Sequence, residues 1–443
     1  MRCAFPGIFF ALALLAGPPV AAADLLDIYR AALTSDPVYG SARASWQAGQ
    51  EKLPQGRAGL LPQADFSAST QYNNRDLRFR NPALAPSQTQ YNSNSASVSI
   101  TQPLFRRQNL VAYDQGKTQV ALADVQLAAA GQTLILRVAQ AYFDVLLARN
   151  NVVLAQAQKT AIGQQLEQAK RNFEVGNATI TDTHEAQARF DLVTAQEIAA
   201  RSDLEIKSRA IEQLIGRAAP EISNLGRSFA LQPPEPQSMG QWVEQARRDG
   251  LQVRIAQENL NFASLDVQRN RGAHFPTLDA YATATESGSG SGIQGGSGTD
   301  TSSRVVGLQL AIPIFQGGAV SSRVREALAN ETRAQQDLEN ARRSAELAAR
   351  QNYLGVTSGI AQVRALEAAL VSNQSSLDST RLGQEVGVRT QVDVLNAQQL
   401  LFSARRDLAQ ARFNYIQSVL QLKAAAGQLG ETDLQIINGW LEK

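Results

Sequence analysis

Few residues of this 443-residue chain have the type and spacing to do chemistry. Cys3 is the only cysteine and falls in an apolar N-terminal leader, so the rest of the chain has no thiol for a disulfide, a metal site or a nucleophile. His184 and His274 are the only histidines; they stand far apart and read as surface or helix-end residues, not a metal pair. The glycine-rich stretch ESGSGSGIQGGSGTDTSS (286–303) looks like a phosphate cradle but lacks the Gly-Lys-Ser/Thr ending and runs into a strand pattern, which argues against nucleotide binding. With no nucleophile elbow either, an enzyme is not expected, nor a cofactor or an intrinsic metal. What remains is charge beside glycine. NFEVGNATITDTHEAQARFD (172–191) and QEVGVRTQVDVLNAQQLLFS (384–403) repeat one phrase: Gly176 or Gly387, then Asp182 or Asp393, then a helical pattern. Asp182 and Glu185 fit a D-x-x-E capping box for the helix that follows, and Asp393 stands at the equivalent place. Helix termination, capping and ion pairing are the chemistry on offer.

The elements that carry these phrases are duplicated. Tyr142 and Tyr353, Asp182 and Asp393, and Gly216 and Gly427 all keep an offset of 211. In each copy two alternating segments precede a very long helical pattern, a glycine phrase and a second helix. Ala64, Phe66, Ala68 and Tyr72 alternate with polar neighbours, as do Ala96, Val98 and Ile100; Leu278, Ala280, Ala282 and Ala284; and Val306, Leu308, Leu310 and Ile312. These are period-2 strands of about the 9–11 residues that cross a bilayer when tilted. Phe105, Phe275 and Phe315 lie at one end, where an aromatic girdle belongs. LRFRNPALAPSQTQYNSN (77–94) and the 286–303 stretch read as loops at the outer surface. Four strands cannot close a barrel, and open edges are not tolerated in lipid, so several copies must share one barrel.

Past Pro103 and Pro313 no proline interrupts about Arg106–Phe173 or Ala319–Gln384, giving helices on the order of 100 Å long. Tyr353, Val356, Ile360, Val363, Leu370 and Leu377, with Glu367 and Gln374 at two seam positions, follow coiled-coil spacing; Ile135, Val138, Tyr142, Val145 and Val152 repeat it. Composition agrees, with 6% aromatics and 44% hydrophobics, too thin for thick globular cores. A net charge of +2 offers nothing to nucleic acid. Arg2, the apolar stretch Ile8–Ala16 and small residues at Ala21 and Ala23 read as a secretory signal cleaved after Ala23, and no later cysteine could carry a lipid anchor. No run of 18 or more apolar residues follows, so strands are expected to cross the membrane.

These residues carry a resemblance that covers nearly the whole chain. QTLILRVAQAYFDVL, QAQKTAIGQQLEQAKRNFEVG, ITDTHEAQARFD, HFPTLDAYATAT, PIFQGGAVSSRV, SSLDSTR and above all VGVRTQVDVLNAQ resemble the TolC family of outer-membrane efflux and type I secretion channels. The resemblance implies an α+β membrane protein built from a tandem structural repeat: a trimeric 12-stranded outer-membrane β-barrel in lipid, continued by a 12-helix periplasmic α-barrel. It implies an exit duct for type I protein secretion, multidrug efflux or both, opened at its periplasmic tip by a periplasmic adaptor and an inner-membrane ABC or proton-driven transporter. The expected layout is a signal peptide at 1–23; a first repeat at 24–217 with strands about 62–73 and 93–104 and a tip at 174–182; a linker or equatorial segment at 218–248; a second repeat at 249–428 with strands about 276–286 and 304–314 and a tip at 385–393; and a C-terminal equatorial segment at 429–443. The rival reading is a soluble periplasmic coiled-coil adaptor, which would lack the four bilayer-length strands.

By the same resemblance Arg389 matches a tip arginine that ties neighbouring hairpins near Thr181 and Asp182, and Asp393 an aspartate that forms a ring at the constriction, where cations could block. The sequence departs from the family in three places. Asn396 stands where a second aspartate ring is expected, Gln384 replaces a tyrosine that bonds the position of Asp182, and Arg381 replaces a glutamate opposite Gln168. The lock should therefore be built differently here.

Overall fold

The computed structural model describes residues 22–81, 83, 85–176, 178–226, 229–291 and 297–442. The leader with Cys3, Asn177 of the first tip and the middle of the glycine-rich loop lie outside the described residues. Three helices open the chain, α1 (Leu25–Ser35), α2 (Pro37–Gln50) and α3 (Lys52–Ala58), followed by strands β1 (Gln63–Leu77) and β2 (Ser87–Phe105). Helices α4 (Arg107–Glu174), α5 (Ile180–Ile215), α6 (Met239–Asp249) and α7 (Leu251–Gly272) come next, then strands β3 (Thr277–Ser289) and β4 (Thr299–Ala311). The chain ends with α8 (Ala319–Glu385), α9 (Gln391–Ala425) and α10 (Glu431–Asn438).

The strands form one antiparallel sheet in the order β1-β2-β3-β4, with β1 and β4 as open edges. Register aligns Phe66, Val98, Ala284 and Arg304 across it. One face carries exposed apolar residues, Phe66 at 70%, Val306 at 85% and Leu308 at 68%. The other face is polar, and Ser97 and Thr285 share a hydrogen bond of 3.1 Å there. The first hairpin is longer than its apolar alternation indicates: β1 has 15 residues and β2 has 19. Polar pairs such as Asn73 with Tyr91 extend the ladder beyond the apolar band, because antiparallel pairing satisfies the backbone whatever the side chains. Much of the expected 77–94 loop is therefore strand. At the junction with the helices Arg106 forks onto Asp279, Nε to Oδ1 at 2.7 Å and Nη2 to Oδ2 at 2.6 Å, a bidentate contact that fixes the sheet to the start of α4.

Helices α4 and α8 run 68 and 67 residues, on the order of 100 Å each. α4 packs along α5 and α7, and α8 along α9 and α7. In the middle of the molecule Leu25, Ile28, Leu134, Tyr142, Leu146, Ile211, Ile416, Leu420, Leu434 and Trp440 form the central core. The repeat-equivalent tyrosines clamp the segment between the repeats: Tyr142 Oη donates to the Ser223 carbonyl (2.8 Å) and Tyr353 Oη to that of Gln237 (2.7 Å). Along the second hairpin Val356, Val363 and Leu377 are buried in the seam. Its two polar seam positions each receive an arginine from α9, Arg412 on Glu367 (2.7 Å) and Arg405 on Gln374 (3.3 Å). Each long helix also holds an 18-residue window of mean hydropathy 1.2, apolar enough by length and composition to cross a membrane, which the residue runs did not indicate. In α4 the apolar stretch from Leu134 to Leu146 faces the central core.

Candidate functional site at the hairpin tips

Both long helices end in the same turn. The Val175 amide donates to the Arg171 carbonyl (3.1 Å) and Gly176, at φ +79°, to that of Phe173 (3.0 Å). Val386 donates to Leu382 (3.2 Å) and Gly387, at φ +78°, to Gln384 (3.0 Å). Only glycine adopts this left-handed backbone without strain, so it stops the helix at each tip.

The return helices start earlier than a D-x-x-E box would place them. Thr179, not Asp182, is the N-cap of α5: its hydroxyl accepts from the Asp182 amide (3.3 Å), and Asp182 Oδ2 accepts from the Thr179 amide (2.9 Å). Thr390 and Asp393 repeat the arrangement at α9, at 3.2 Å and 2.9 Å. Threonine is the better cap here because its side chain reaches the third amide of the helix while the aspartate reaches back, satisfying two orphan donors at once. Glu185 is left over for an ion pair with Arg189 (3.4 Å). The T-x-x-D spacing was the signal for the true box. Hydrogen bonds from the Thr390 amide, then from its hydroxyl, hold the Asp393 carboxyl below the usual carboxylate range, and the nearby Arg389 charge adds to the effect.

Beyond the shared turn, contacts join the two hairpins of one chain. Gln384 Nε2 donates to Gln391 Oε1, and Gln391 Nε2 donates to the Gln165 side-chain oxygen and to its carbonyl (3.4 Å) on α4. On the return helices Arg189 donates from Nη1 to Gln399 Oε1 (2.7 Å) and from Nη2 to Asn396 Oδ1 (3.2 Å). Gln384 and Asn396, two of the three departures from the family pattern, are thus both engaged within the chain. Gln165, Arg189, Gln391 and Gln399 were not singled out from the sequence, and a polar residue on a long helix carries no signal that distinguishes a bridge from a solvated face.

The other expected pairs are not formed within one chain. Among the described residues no hydrogen bond or ion pair within one chain joins Gln168 to Arg381, or Arg389 to Thr181 or Asp182. Gln168, Arg381, Thr181 and Arg389 are all exposed. His184 and His274 are exposed as well, and no group of three or more His, Cys, Asp or Glu among the described residues is placed to hold a metal ion.

The model of the family described as "Outer membrane efflux protein" matches residues 28–217 and 242–428, one match for each repeat. The chain is 35% identical over 433 residues to outer membrane protein TolC of Escherichia coli, covering 95% of this chain and 86% of that protein. It is 33% identical over 440 residues to the alkaline protease secretion protein AprF of Pseudomonas aeruginosa, covering 99% and 91%. The solved CmeC outer membrane channel of Campylobacter jejuni is similar in fold, with a TM-score of 0.77 at 17% identity over 100% of this chain and 98% of that one. VceC of Vibrio cholerae gives 0.76 at 17% identity over 91% and 96%.

Proposed function

We propose, for a chain that belongs to the outer membrane efflux protein family, a three-copy duct closed at its hairpin tips. The protein is an outer-membrane channel for type I secretion and efflux that extends into the periplasm, and the soluble-adaptor alternative is not favoured. The observation that carries the assembly is the four-stranded sheet with two open edges and one exposed apolar face. Lipid tolerates no unpaired edge, so β4 of one copy pairs with β1 of the next. Three copies of a four-stranded sheet give a 12-stranded barrel. The same symmetry gathers α4, α5, α8 and α9 of each copy into a 12-helix tube, with the tips at the end remote from the sheet. An adaptor and an inner-membrane ABC or proton-driven transporter engage that end and select the cargo.

At the closed tip Arg389 of one copy reaches oxygens near Thr181 and Asp182 of the next, and three Asp393 carboxylates surround the axis. The Gln384, Gln391 and Gln165 amides, with Arg189 on Asn396 and Gln399, brace the two hairpins of each copy. This bracing takes the place of the pairs that Gln168 and Arg381 do not make within the chain. The assembly is tested by extracting the protein from outer-membrane fractions in mild detergent and weighing it by native mass spectrometry. A trimer with small resting conductance in planar bilayers is expected; a stable full-length monomeric barrel, or recovery in the soluble periplasm, would overturn it.

A further inference from the structure

Arg389 lies against Gly383, in the last turn of α8. A Cβ built on Gly383 would stand 2.7 Å from Arg389 Cγ, closer than a methyl can approach the stem of the side chain, and 3.4 Å from its Cβ, an ordinary contact. The same residue holds the backbone of the turn, since its carbonyl accepts from the amides of Val388 (2.9 Å) and Arg389 (3.1 Å). The duplication supplies an independent observation. At the offset of 211 the counterpart of Arg389 is Ala178, and the counterpart of Gly383 is Asn172. The repeat with the arginine has the glycine beneath it; the repeat with a short side chain has a full-sized residue there.

We infer that Gly383 is a positioning residue for Arg389: its bare backbone is the seat on which the arginine stem lies, and this seat aims the guanidinium out of its own hairpin. A helical glycine is a poor choice for α8 itself, because alanine is the better helix former, so the reason for glycine at 383 lies in what rests on it. A side chain at 383 must rotate the Arg389 stem away or push the 387–389 turn outward. Either movement takes the guanidinium off its acceptors while the cap at Thr390 and the coiled-coil seam stay intact.

The inference rests on the proposed role of Arg389 in closure, and the experiment separates the two. Single-channel conductance is measured in planar bilayers for trimers of the parent, Gly383→Ala, Arg389→Ser and the double variant. The expected result is a several-fold rise for Gly383→Ala, a rise at least as large for Arg389→Ser, and no further rise in the double variant, because both changes remove one contact. If Arg389→Ser leaks and Gly383→Ala conducts like the parent, the positioning role is overturned and the arginine lock stands. If the two rises multiply in the double variant, Gly383 acts on tip packing independently of Arg389, and the inference is again overturned. If Arg389→Ser itself conducts no more than the parent, the lock fails and takes the positioning role with it. Gly383→Ala should not weaken the hairpin, so an unchanged or raised melting temperature alongside the leak distinguishes misdirected closure from loosened structure.

Discussion

The two hairpin tips share a backbone and differ in what they offer a neighbour. At the offset of 211, Val175 and Val386, Gly176 and Gly387, Thr179 and Thr390, and Asp182 and Asp393 are the same residues, and each makes the same bond in both copies. Asn172 against Gly383, Phe173 against Gln384, Ala178 against Arg389, Ile180 against Gln391 and Glu185 against Asn396 are not the same. The shared set stops one helix, turns the chain and caps the next, so it is what any hairpin needs. The unshared set holds the residues that bridge the hairpins or lie exposed at the tip: Gln391 on Gln165, Asn396 on Arg189, and Arg389. Duplication kept the fold of the tip, and the bonds between the hairpins lie among the residues that differ between the copies. On that division, changes in the unshared set should act on the channel, and changes in the shared cap threonines Thr179 and Thr390 only on the stability of the tip.

The largest effect is expected at Arg389. A charge-assisted hydrogen bond contributes about 1.5–3 kcal/mol when it is well formed, and losing one shifts a closed-to-open equilibrium by roughly 10- to 100-fold. Arg389→Ser should therefore leave trimers assembled, since the sheet and the seams lie elsewhere, yet raise single-channel conductance and admit bulky antibiotics. Ala178→Ser, at the matching place in the first tip, should do neither. Arg389→Lys should restore little, because an ammonium cannot make a planar two-pronged contact. Equal leakage from the 178 and 389 variants would erase the distinction between the tips; silence from both would assign closure to the Gln384, Gln391 and Gln165 bridge.

The tips also show what a sequence can reveal. Period-2 alternation located the four strands, because one face of each meets an apolar environment, and a proline-free coiled-coil pattern located α4 and α8. Strand ends were less legible: past Tyr72 the β1–β2 ladder continues through polar pairs that carry no alternation. The glycines were legible because φ near +80° selects them. The cap is less legible: the D-x-x-E pattern points to Asp182, three residues past the true cap at Thr179, because aspartate can serve at the cap or at the third position, and only the bonds decide. The Gln165, Arg189 and Gln399 contacts were illegible, since they join helices separated by more than 200 positions.

An intermediate effect is expected at Asn396, which matches Glu185 of the first tip. Both oxygens take the same Arg189 Nη2, at 3.2 Å and 3.4 Å. Three new carboxylates beside Asp393 would raise the field at the axis and strengthen block by trivalent cations. Each would also sit within reach of a guanidinium that neutralises part of its charge. Asn396→Asp alone should thus tighten block modestly, and adding Arg189→Gln should tighten it further while loosening the brace between α5 and α9. Block that is unchanged in both variants would mean that positions 393 and 396 do not face one lumen.

The smallest effect belongs to the shared caps, and it is the sharpest test of the comparison. Replacing an N-cap threonine by alanine costs about 1 kcal/mol of helix stability. Thr179→Ala and Thr390→Ala should therefore lower hydrogen-exchange protection in the first turns of α5 and α9 by similar amounts, with conductance near that of the parent. pH gives the same comparison without mutation at the second tip. The Asp393 carboxyl is held below its ordinary value in the folded chain by the Thr390 amide and hydroxyl, so the folded state binds its proton less readily than the unfolded one. Its contribution is present at neutral pH, above the unfolded value, and is lost as pH falls through the folded value, below the usual carboxylate range of about 3.9. Protection of the first turn of α9, corrected for the intrinsic exchange rate, should hold from neutral pH into the mildly acid range and fall only below it. In Thr390→Ala the carboxyl should titrate closer to its ordinary value, and the fall should begin at higher pH. If instead Thr390→Ala opens the channel as Arg389→Ser does, while Thr179→Ala does not, the second cap is part of the lock, and sequence identity between the tips does not mean identity of role.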